Sequence, residues 1–167
     1  MNRISLAIRF LAVLMLPATA APLGIPEAIA VPDETLITTI HAQGAQIYEC
    51  KPDASGKLAW QFREPIATLF RDGKTVGRHF TGPSWELADG SMVTGKLAAR
   101  ADAATAADIP LLRLDVVSRR GAGDLAAAAT ILRLNTHGGT AAGPCETAGA
   151  FLSVPYSADY AFYKKRP

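Results

Sequence analysis

Only two cysteines, Cys50 and Cys145, and three histidines, His41, His79 and His137, occur in this chain. None of the five has another within a few positions, so the close ligand spacing of a structural zinc site is absent. Three imidazoles gathered by the fold remain the one metal arrangement left open, because imidazole suits both zinc and copper. The serines offer no nucleophile signature. There is no G-x-S-x-G, and Ser84, Ser91, Ser118 and Ser153 stand in ordinary surroundings. A basic run is missing too, which removes the electrostatic case for nucleic acid or an anionic membrane as partner. The apolar run Phe10–Leu16 falls short of the roughly 20 residues a membrane-crossing helix needs, and no later segment approaches it. No integral membrane segment is therefore expected in the mature chain. Internal repeats and low-complexity tracts are also absent.

What is present begins with an export signal. Arg3 and Arg9 supply a positive start, Phe10–Leu16 the apolar centre, and Ala18-Thr19-Ala20 the small residues that signal peptidase requires. Residues 1–20 are expected to leave as a signal peptide, giving a periplasmic or secreted protein. Ala28-Ile29-Ala30 repeats the cleavage pattern but stands too far from the apolar centre. No cysteine follows the cleavage site closely, which argues against a lipid anchor. Loss of Arg3 and Arg9 leaves basic and acidic residues in balance. Residues 21–34, with three prolines, read as an extended lead-in, and residues 35–167 as a single β domain. In an oxidising compartment Cys50 and Cys145 are expected to form a disulfide rather than a reactive thiol pair. Closing a loop of that length stabilises a fold by roughly 4–5 kcal/mol at most in the chain-entropy account.

Alternation with a period of two is the strongest pattern. It runs through Leu58–Arg63, Leu112–Val116, Thr130–Leu134 and Asp159–Tyr163, with further strands expected at Ala45–Cys50, Ile66–Phe70, Val76–Phe80 and Met92–Leu97. Turn residues separate these runs, among them Asp72-Gly73, Gly82-Pro83, Asp89-Gly90 and Gly138-Gly139. Asp89-Gly90, between Trp85–Leu87 and Met92–Thr94, predicts a β-hairpin with a type I′ turn. Ala98–Ala107 favours helix by composition but has no apolar stripe, so a loop or one helical turn is expected there. Leu125–Ala129 is ambiguous. The fold class that follows is all-β, a single-domain antiparallel β-sandwich or barrel with little helix.

Three motifs could carry chemistry. Gly121-Ala122-Gly123-Asp124-Leu125-Ala126 matches the dinucleotide fingerprint, but Arg113 and Asp115 interrupt the run before it and no βαβ pattern surrounds it. A tight turn is the reading, and no cofactor is expected. The segment Val76–Glu86 holds Arg78, His79, Trp85 and Glu86, the densest group of capable residues. If His79 and Glu86 meet across the Gly82-Pro83 turn, with Trp85 as an apolar wall, they form either a ligand site or an acid–base pair. A core Trp85 with a solvent-facing Glu86 is the plainer alternative. Asn135–Gly139, with Asn135 and His137, is a second candidate for binding polar ligands. Two main readings follow. One is a non-catalytic module binding a small molecule or an envelope or secreted partner. The other is an extracytoplasmic hydrolase using His79 and Glu86, with Asp89 or His137 in support. A histidine-based metal-binding protein is the third.

The ordered series Gly44–Cys50, Pro65–Leu69, Val76–Phe80, Gly82–Glu86, Asp89–Ser91, Arg133–Thr136, Gly138-Gly139, Cys145 and Val154–Tyr160 resembles the exported family known as domain of unknown function 3455. The resemblance begins at Val31-Pro32 and covers nearly the whole mature chain. It implies an exported β domain and no particular activity. Leu125–Ala129 departs from the glycine and strand-forming residues usual in the family at that place, so a ligand role depending on bulk there is in doubt.

Overall fold

A computed structural model describes residues 24–167, so the expected signal Met1–Ala20 and its cleavage site lie outside the described residues. The chain builds eight strands: β1 (Glu34–Pro52), β2 (Leu58–Arg71), β3 (Lys74–Phe80), β4 (Ser84–Leu87), β5 (Met92–Ala101), β6 (Leu111–Arg120), β7 (Thr130–Gly138) and β8 (Phe151–Lys165). Each pairs antiparallel with its neighbours in sequence, and β8 returns to pair with β1, so the sheet closes into a barrel. Closure decides between the two architectures the alternation allows, and it leaves no free sheet edge.

Alternate residues face the barrel axis, where Ile40, Leu69, Trp85, Val93, Ile131, Tyr160 and Phe162 form a core with almost no exposed surface. Burying side chains of this size stabilises by about 1.5–3 kcal/mol each. The expected strands are all present, but longer. Ala45–Cys50 is only the end of β1, and Leu58–Arg63 and Ile66–Phe70 are one strand with the buried Pro65 between them. Bulges at Ile47/Tyr48, Thr94/Gly95 and Leu134/His137 bend these strands around the barrel. Ala98–Ala101 belongs to β5 rather than to a loop or helical turn, because its backbone pairs with β6 as far as Leu111. The lead-in is not wholly extended. Glu27–Ile29 makes a 3-10 turn against β5 and β6, with Ile29 fully buried.

A meander of eight strands puts its hairpins alternately at the two ends. At one end the β6–β7 connection folds inward, and Leu125 and Ala128 close the barrel as fully buried members of the core. The Asp89 carboxylate holds that connection, accepting from the Asp124 backbone N–H at 2.8 Å while also accepting from the Ser91 N–H and hydroxyl. Gly121 and Gly123 are needed for this approach, since a Cβ there would collide with the Gly90 carbonyl and the Asp89 carboxylate. The dinucleotide-like motif is thus a turn. Asp89-Gly90 is not the expected type I′ turn, because only Gly90 has positive φ. That geometry belongs to Asp72-Gly73, the two-residue link of β2 to β3, with φ of 50° and 73°.

At the opposite end the β7–β8 loop is drawn over the ends of β1 and β2. Cys50 and Cys145 form the expected disulfide, with Cα atoms 5.7 Å apart. Tyr48 donates to the Gly139 carbonyl at 2.7 Å, and the Trp60 indole donates to that of Pro144 at 3.2 Å. This end stays open beside β3 and β4.

Candidate functional site

The register of β3 on β4 sorts the residues of Val76–Glu86. His79 pairs with Trp85 and Arg78 with Glu86, and paired residues share a face. His79 and Trp85 therefore point into the barrel, while Arg78 and Glu86 point out. His79 stacks on Trp85 with ring centroids 4.3 Å apart and planes 11° from parallel, and Tyr160 tilts against both. Its Nδ1–H donates to the Ser84 carbonyl at 2.9 Å, leaving a lone pair on Nε2. Burial pushes the His79 pKa down to about 3; the Ser84 bond opposes the shift and the nearby Arg133 charge adds to it. The ring is neutral at physiological pH.

Glu86 is engaged on the outer surface. It accepts from Arg78 Nε and Nη2 at 2.8 and 2.6 Å, and from Arg120 Nη2 at 2.9 Å. His79 and Glu86 are thus separated by the barrel wall, and the acid–base pair expected across the Gly82-Pro83 turn does not assemble. The reason is one of parity: a tight link pairs His79 with Trp85, and so sends Glu86 to the other face.

The open end leads into a cavity of about 360 Å³. Phe62 and Leu97, each more than half exposed, stand at its rim with Gly82 and Pro83. Leu112, Leu114, Trp85 and Tyr160 form the apolar wall, and Gln46, His79 and Arg133 bring polar atoms to it. Arg133 of β7 pairs with Tyr160 of β8; its Nε donates to the Pro110 carbonyl at 3.0 Å and its guanidinium lies against the Tyr160 hydroxyl. Burial raises the pKa of Tyr160, and burial together with the neighbouring Tyr160 raises that of Tyr156, so both phenols stay protonated. Of the residues that line the cavity, Trp85 has a buried indole N–H without a hydrogen-bond partner. Leaving such a group unpaired costs about 1–3 kcal/mol.

The second candidate segment lies elsewhere. Asn135 takes a left-handed φ of 47° at the β7 bulge and donates to Asp159 Oδ2 at 2.8 Å; His41 Nδ1 meets Oδ1 of the same carboxylate at 2.8 Å. Asn135 and His137 line an outer cleft beside Gly24–Pro26 and do not reach the cavity. With His79 inside and the exposed His41 and His137 outside, the three imidazoles do not converge. Among the described residues no three metal-ligating side chains could hold an ion. No helix among them is long and apolar enough to cross a membrane.

The sequence profile of the family described as protein of unknown function DUF3455 matches residues 31–164. The chain belongs to that family. No curated protein and no solved structure matches it. In this DUF3455 domain, His79 and Trp85 of the expected site residues reach the cavity, and Arg78, Glu86, Asn135 and His137 do not. Gln46, Arg133 and Tyr160 are cavity residues that alternation alone does not single out. Arg133 is the instructive one, since Leu132 and Leu134 beside it suggest the opposite phase. Leu132 is fully buried although outside the central cluster, and Leu134 meets the lead-in, so β7 is covered on both faces. The usable signal is the inward phase Ile131–Arg133, matched across the ladder by Phe162 and Tyr160.

Proposed function

We propose that this protein is a non-catalytic binding module, exported to the periplasm or beyond, that holds one small ligand in the mouth of its barrel. The observation that carries this reading is the cavity itself, rimmed by Phe62 and Leu97, walled by Leu112, Leu114, Trp85 and Tyr160, and given polar groups by Gln46, His79 and Arg133. An eight-stranded barrel has room for one small ligand, and a cavity of this size is at the small end of ligand pockets. Apolar walls with a few convergent polar groups supply affinity and orientation respectively. The outward positions carry His41, Gln43, Arg78, Glu86, Lys96 and Asp115, with scattered apolar residues such as Ile66, Val117 and Phe151, a largely polar exterior around an apolar interior. That is the reverse of an outer-membrane barrel and favours a protein that works in water. The disulfide favours an oxidising compartment. Hydrolysis finds less support, since the only interior histidine has no carboxylate among the cavity residues.

The test is a thermal-shift screen of the oxidised mature protein against small apolar and amphipathic molecules. A true ligand raises the melting temperature, with stabilisation of about 2.7 kcal/mol at a hundredfold excess over its dissociation constant. Leu112→Trp, which fills the cavity, is expected to abolish the shift. A shift that survives in Leu112→Trp, or no shift with any compound, contradicts the reading.

A further inference from the structure

We infer that the ligand is an apolar monocarboxylate, its carboxylate seated on Arg133 and its apolar body lying toward Phe62 and Leu97. The inference rests on the binding-module reading above and adds the charge and polarity of what is bound. Two arginines line the cavity and no aspartate or glutamate does. Arg63, at the rim, is neutralised by Glu49 at 3.5 Å and Glu64 at 3.3 Å. Arg133, the other cavity arginine, has no carboxylate within ion-pair distance among the described residues. Arg133 is half-buried, and a guanidinium partly removed from water is favoured by an anion beside it.

The neighbouring polar groups select the same chemistry. Trp85 Nε1–H is fully buried and lacks an acceptor, and the Tyr160 hydroxyl lies beside the guanidinium. A carboxylate is acceptor-only, with room for several donors, and pairs with a guanidinium in a planar fork. An ammonium group would meet an unpaired cation. An alcohol would satisfy one or two of the donors and leave the charge unmatched. A phosphate dianion would face a single free arginine. The apolar surface of Leu112 and Leu114, continuing to Phe62 and Leu97 at the rim, fits an uncharged body between the head and the solvent.

The experiment compares octanoate, octanol and octylamine by calorimetric titration into the oxidised wild-type protein and into Arg133→Gln, Arg133→Lys and Trp85→Phe. Wild type is expected to bind octanoate at least tenfold more tightly than octanol, as a charge-assisted bond implies, and octylamine not at all. Arg133→Gln should reduce octanoate to the level of octanol, Arg133→Lys should keep part of the preference, and Trp85→Phe should weaken octanoate while keeping the aromatic wall. If Arg133→Gln fails to fold by circular dichroism, the wild-type ranking and the lysine variant decide. Octanol binding as tightly as octanoate in wild type overturns the anion assignment and leaves the binding barrel standing. Absence of binding by all three overturns both.

Discussion

His79 is a histidine that the barrel keeps neutral, and this has a measurable consequence. Its folded pKa lies near 3 because burial disfavours the charged ring, while the unfolded chain titrates near the ordinary value of 6.5. Above that value neither state binds the proton and the group has no effect on stability. As pH falls below it, the unfolded state takes up a proton that the folded state refuses. Stability is therefore lost through the window from about 6.5 towards 3, at about 1.4 kcal/mol per pH unit from this one group. Urea unfolding at pH 7, 6 and 5 should show the decline in wild type and a flatter profile in His79→Gln; parallel profiles would show that His79 titrates normally. At this scale two of the six expected ligand residues, His79 and Trp85, line the cavity. His79 and Trp85 are found because imidazole and indole are conspicuous beside a Gly-Pro turn. Glu86 misleads because its outward pairing with Arg78 and Arg120 depends on register, which a local pattern does not contain.

Among the elements, the β6–β7 connection departs furthest from expectation. Leu125–Ala129 looks too small for a strand and too short for a helix, and it is neither. Two turns put Leu125 and Ala128 into the core, where they seal one end of the barrel. Ala126 and Ala127 are exposed and only Leu125 and Ala128 are fully buried, so the departure from the usual family pattern falls at the end away from the cavity. Leu125→Ala should destabilise by about 2–5 kcal/mol, the usual range for a buried leucine. Denaturant titration checks this; a change below about 1 kcal/mol would mean that the connection is not a plug. The strands themselves were legible from alternation because one face of each is buried. Their lengths were not, since β1, β2 and β8 run on through bulges and a proline that read as breaks.

For the whole molecule, alternation cannot separate a sandwich from a barrel, because both bury every second residue. The deciding contact is β1 with β8, between residues more than a hundred positions apart, and no local signal reports it. The disulfide reports long-range order of a different kind. It pins the β7–β8 loop to the end of β1, beside Tyr48 and Trp60, and so shapes the open end without closing it. The proposed binding role draws on a closed barrel, a base sealed by Leu125 and Ala128, and a cavity arginine without a carboxylate partner. The two tryptophans offer the most direct test of that account. The Trp60 indole is bonded to Pro144, whereas that of Trp85 lines the cavity and lacks an acceptor. In a nitrogen-15 spectrum of the oxidised protein, adding octanoate should move the Trp85 indole resonance and leave that of Trp60 in place. If both stay fixed while octanoate is in excess, or if Trp60 alone moves, the barrel interior is not where this protein binds.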